Sequence, residues 1–102
     1  MPAPARIAGN DRPLSGAQTL GAAAVGFKGR IRAVQVRAGD HGLSAAELER
    51  RLIELGFVEG ARVEVLHQGL FGRDPIAVYV NETTVALRRR EAAAILVEQD
   101  GG

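Results

Sequence analysis

Cysteine and tryptophan are absent from this 102-residue chain, and aromatic residues make up only 4% of it. Without cysteine there is no disulfide, no thiolate metal site and no cysteine nucleophile, a usage that fits the cytoplasm. So few aromatics leave little with which to stack bases or sugars. An excess of one charge is missing too. Thirteen Lys and Arg stand against twelve Asp and Glu, a net charge of +1, whereas nucleic-acid binders carry a basic excess or stripe. No apolar run is long enough to cross a membrane. The opening MPAPARIAGNDRPLSGAQ lacks the continuous apolar region of a signal peptide, because Pro, Gly and Asp interrupt it. Residues 1–18 read as a flexible tail and 99–102 as a frayed C-terminus.

What remains is one domain over residues 19–98, with a 46% hydrophobic content that supports a core. Its best-specified stretch is Leu43 to Leu66. Ser44 stands as an N-cap with Glu47 three residues on, a capping box, and Leu43 can staple onto Leu48. Leu48, Leu52 and Leu55 recur at i, i+4 and i+7, the apolar stripe of a helix. Gly56 ends that helix in a left-handed C′ position, with Phe57 folding back onto Leu52.

Around the helix the pattern is β. Thr19 to Gly29 reads as a loop or weak helical turn anchored by Leu20 and Val25. Arg30 to Val36 follows as a strand whose parity shifts near Val34, predicting a bulge. Gly60 occupies the position of a type II turn that needs positive φ, and Val63 and Val65 alternate with Arg62 and Glu64 in a half-buried strand. His67 to Pro75 reads as a loop broken by Gly69, Gly72 and Asp74-Pro75. Ile76, Val78 and Val80 form an inward face, and Asn81-Glu82 turns into Thr83 to Leu87 as a hairpin. A short helical turn over Arg88 to Ala93 and a last strand over Ala94 to Glu98 complete the chain. The expected class is mainly β: an SH3-like barrel of about five strands, with one inserted helix and a short helical turn before the last strand.

These residues also carry a family resemblance. The run Leu52-x-x-Leu55-Gly56-Phe57-x-x-Gly60-x-x-Val63-x-Val65, then Gly72-x-Asp74-Pro75, then Ala86-Leu87-Arg88-x-x-Glu91-Ala92-x-x-Ile95-x-Val97, resembles the ferrous iron transport protein A (FeoA) domain. Thr19-Leu20 and Gly26 to Ile31 resemble its opening loop and first strand. The resemblance covers Thr19 to Glu98 and rests on the order and spacing of many small signals. It implies a small cytoplasmic SH3-like module that binds the FeoB-type ferrous-iron permease through the latter's cytoplasmic, GTP-binding portion. Such a module is peripheral to the membrane only through that partner, with room for weak self-association. Two positions depart from the family pattern: Glu59 stands where Pro is common before the turn glycine, and Asn81-Glu82-Thr83 replaces a glycine-bearing turn. Neither changes a chemical group.

Weighed one by one, the reactive residues point to binding rather than catalysis. His41 and His67 have no Glu-x-x-His or His-x-x-x-His spacing, so no metal or cofactor site is assigned to them. Ser44 is already used as a cap. The glycines between Gly69 and Pro75 lack the Gly-Lys-Ser/Thr ending of a phosphate loop. Arg88 to Arg90 offer an arginine that could act in trans on GTP hydrolysis, which makes regulation of hydrolysis the alternative function. The plainer reading pairs Arg88 with Glu91 and leaves Arg89 and Arg90 solvated. A nucleic-acid-binding barrel is a weaker third reading. Leu70 and Phe71, two apolar residues between glycines in a loop, either cap the barrel or anchor a partner. The expected partner-binding residues are therefore Leu70, Phe71, Arg73 and Arg88.

Overall fold

The computed structural model describes residues 17–36, 44–70 and 72–100. They form one antiparallel sheet of six strands with two helices. The strands are β1 (Ala17–Thr19), β2 (Lys28–Val34), β3 (Arg62–Gln68), β4 (Ile76–Val80), β5 (Thr83–Leu87) and β6 (Ile95–Gln99). A 3-10 turn, Leu20–Ala22, follows β1. Helix α1 (Ala45–Glu54) lies between β2 and β3, and the one-turn helix α2 (Arg89–Ala92) lies between β5 and β6. The strand order is β1-β6-β2-β3-β4-β5, so the last strand sits between the first two.

The strands exist because alternate residues are apolar. In β4, Ile76, Val78 and Val80 are buried while Tyr79 is exposed, and in β3 Val63 and Val65 are buried between Arg62 and Glu64. The parity change expected in the first long strand is a register shift between Ile31 and Ala33 opposite β6. A second shift between Val65 and His67 bends β3 against β4. Extra residues of this kind increase strand curvature, as a small barrel requires.

Helix α1 closes the core. The Ser44 side chain accepts from the Glu47 N–H at 3.1 Å, and the Glu47 carboxylate accepts from the Ser44 N–H at 3.2 Å. At the other end, Gly56 has φ +107°. Its N–H donates to the Ile53 carbonyl, and that of Phe57 to the Leu52 carbonyl, both at 3.0 Å. This is the Schellman pattern. Leu48, Leu52 and Phe57 are fully buried with Ile76, Leu87 and Ile95, and Leu55 packs against the same cluster. The proposed staple residue Leu43 lies outside the described residues.

Four expectations need correction. The sheet has six strands rather than about five, because Ala17 and Gln18, assigned to the tail, pair with Glu98 and Val97. His67 and Gln68 belong to β3 rather than to a loop, opposite Ala77 and Ile76. Gln99 belongs to β6, and the Asp100 N–H donates to the Lys28 carbonyl at 3.0 Å, so neither is frayed. Val25, taken as an anchor, is 47% exposed, while Leu20 is fully buried.

Candidate docking surface

The loop that joins β3 to β4 is held by one arginine. Arg89 opens α2, and its guanidinium spreads over three segments. Nη1 donates to the carbonyls of Gly21 (3.1 Å) and Ala23 (2.8 Å), Nε to the Arg73 carbonyl (2.7 Å), and Nη2 to Gln68 Oε1 (3.0 Å). Its backbone N–H donates to Asp74 Oδ1 at 2.8 Å. One side chain therefore ties the 3-10 turn, the end of β3 and the loop to α2. The planar fork of donors suits this task, whereas a lysine ammonium would present a single centre. Arg89 is thus a structural staple and not a solvated charge.

The neck of the loop is narrow. The Gly69 N–H donates to the Pro75 carbonyl at 2.9 Å, and a Cβ at position 69 would collide with the Asp74 carbonyl oxygen. The Asp74–Pro75 peptide is cis, and Gly72 and Arg73 both have positive φ. Out on this loop Leu70 is 95% exposed. At that exposure Leu70 does not fold back over the barrel. Phe71 lies outside the described residues.

The remaining candidates fall beside this loop. Arg73 is exposed, and its carbonyl is occupied by Arg89. Arg88 is exposed at the N-cap of α2. The expected contact with Glu91 exists, but through the backbone: the Arg88 N–H donates to Glu91 Oε1 at 3.0 Å. Among the described residues the Arg88 guanidinium has no partner, and Glu91 instead lies 3.9 Å from Arg51 of α1. Leu70, Arg73 and Arg88 are thus associated with one end of the barrel, at the loop and the N-terminus of α2. His67 is exposed, and His41 lies outside the described residues. No group of three His, Cys, Asp or Glu side chains among the described residues could hold a metal ion. The pinned neck presents an apolar side chain to water.

A second surface escaped the sequence reading. A groove of about 720 Å³ opens between the end of α1 and the β4–β5 turn, lined by Val58, Lys28, Arg62, Glu82, Asp100 and Tyr79, the last 44% exposed. It lies across the Arg62–Glu64 end of β3, away from the loop that follows Gln68. Lys28 pairs in register with Glu64, and Glu64 with Tyr79. The only advance signal was Tyr79 alternating with the buried valines. No helix among the described residues is long and apolar enough to cross a membrane.

Comparison with known proteins accords with this architecture. The family model of the FeoA domain matches residues 18–99. The solution structure of the FeoA protein from Chlorobium tepidum is 30% identical, with a TM-score of 0.66 over 80% of this chain and 70% of that one. FeoA from Stenotrophomonas maltophilia, solved with zinc, is 34% identical, with a TM-score of 0.65 over 79% of this chain and 89% of that one. That protein is described as a prokaryotic SH3 domain protein and a candidate activating factor of ferrous iron transport. A manganese-dependent transcriptional repressor, 24% identical, shares the fold alone, with a TM-score of 0.64 over 81% of this chain and 41% of that one. No curated protein matched.

Proposed function

This chain belongs to the FeoA domain family, and on that premise we propose that it is a non-catalytic accessory protein of ferrous-iron transport. It acts in the cytoplasm by docking on the cytoplasmic portion of the membrane permease. The observation that carries this reading is Leu70, 95% exposed on a loop whose neck is tied to α2 by Arg89. An apolar side chain held out from a fixed base loses little freedom on binding, so its burial is available to the complex. Arg73 and Arg88 supply a basic rim beside it, and such charges set association rate and orientation.

The test is capture of the permease's purified cytoplasmic domain by the full chain, with and without guanine nucleotide. Binding by the natural chain, lost in Leu70→Glu while the variant melts normally, supports the proposal. Absence of binding in every nucleotide state, or equal binding by Leu70→Glu, refutes it. GTP hydrolysis measured on the same pair separates docking from stimulation, with Arg88→Ala as the comparison.

A further inference from the structure

Strand β5 is an edge of the sheet and, among the described residues, pairs with β4 alone. The two-residue turn closes the hairpin on Val80 and Thr83. From such a turn, hydrogen-bonded and non-hydrogen-bonded pairs alternate along an antiparallel ladder. The peptide groups of Thr83, Val85 and Leu87 accordingly face β4, and those of Thr84 and Ala86 face outward. Outside the sheet no backbone hydrogen bond engages either residue among the described residues. Exposed edges are ordinarily guarded by lysine, proline or a bulge. β5 reads TTVAL and pairs with β4 without a register shift, so it has none of these guards. The side chains of Thr83, Thr84 and Ala86 are exposed as well.

We propose that β5 docks a second copy of this chain, antiparallel, about a two-fold axis through Val85. In that register Thr84 lies opposite Ala86 of the second copy. Their outward N–H and C=O groups then exchange hydrogen bonds on each side of the axis. Counted outward from that axis, Glu82, in the β4–β5 turn with φ +63°, falls level with Arg88 of the second copy, twice over. Both residues are exposed, and Arg88 continues the strand with φ −68° and ψ 145°. Its guanidinium, without a partner among the described residues, gains one here. Moving the axis to Thr84 would put Glu82 opposite Ala86, and moving it to Ala86 would put Arg88 opposite Thr84. The Val85-centred register matches opposite charges on both sides, and charge opposite charge is what selects one strand register over its neighbours. Thr84 and Ala86 are small, so no bulky side chain blocks the seam, and an isologous contact of this kind closes as a dimer.

Sedimentation of the full chain over a concentration series tests this. The natural chain is expected to dimerise reversibly. Glu82→Arg and Arg88→Glu should each raise the dimer Kd about tenfold, by turning two attractive contacts into repulsive ones, and combining them should restore it. Thr84→Pro removes an outward N–H without touching a β4 bond, and it should abolish the dimer while leaving a cooperative melt. A chain that stays monomeric at millimolar concentration overturns the proposal. So does a dimer indifferent to these substitutions, or a failure of the double variant to recover.

Discussion

Replacing Arg89 by alanine is the sharpest test of how the loop is held. The substitution removes four side-chain hydrogen bonds at once. Those to the Arg73 carbonyl and Gln68 are exposed, and water replaces them at small cost. Those to the Gly21 and Ala23 carbonyls are part-buried, and each acceptor left without a donor costs about 1–3 kcal/mol. Because both acceptors are only part-buried, the lower part of that range applies to each, and the expected loss is about 2–4 kcal/mol, a large share of the roughly 5–15 kcal/mol that holds an ordinary domain together. For a domain of this size it should lower Tm by about 10–25 °C. Urea and thermal unfolding monitored by circular dichroism measure it. Arg89→Lys should fall between, because one ammonium keeps the charge but cannot fork to three segments. An alanine variant within about 0.5 kcal/mol of the natural chain, the range of ordinary surface substitutions, would refute the staple. A lysine variant equal to arginine would show that charge, and not the fork, carries it.

Two further outcomes follow from the same packing. Gly69→Ala should destabilise by about 2 kcal/mol or more, because its Cβ would meet the Asp74 carbonyl oxygen and the backbone must shift; urea titration reads this, and stability equal to the natural chain would contradict the pinched neck. Leu52→Ala should cost about 2–5 kcal/mol as a fully buried side chain is lost from between α1 and the sheet, with a midpoint shift and an unchanged m-value.

How much of this is legible in the sequence depends on how far apart the interacting residues lie. The ends of α1 can be read because each cap and its partner lie within five residues, Ser44 with Glu47 and Leu52 with Phe57. The β3, β4 and β5 faces can be read because alternation is local. Arg89 cannot, since its carbonyl partners at Gly21 and Ala23 are more than sixty positions away. In the sequence it looks, with Arg90, like one of two solvated charges beside a paired Arg88. The short strand β1 is silent for a similar reason: Ala-Gln-Thr has no periodicity of its own and is a strand only because β6 offers it an unpaired edge. At the candidate surface, Leu70 stands out because an apolar residue between glycines is unusual in a loop. The groove beside Tyr79 is assembled from α1, β3 and the β4–β5 turn, and no one segment announces it.

The place of β6 between β1 and β2 has a consequence for how the chain reaches this structure. Strands β3, β4 and β5 are consecutive and adjacent, so their pairing closes short loops and can form early. Sealing the other half requires positions 17 and 98 to meet, a contact nearly as distant as the chain allows. Loop-closure entropy makes that step the slow one. The meander that carries the β3–β4 loop is therefore the fast-forming half of the molecule, and Arg89, bridging to Gly21 and Ala23, is where the late half locks onto the early one.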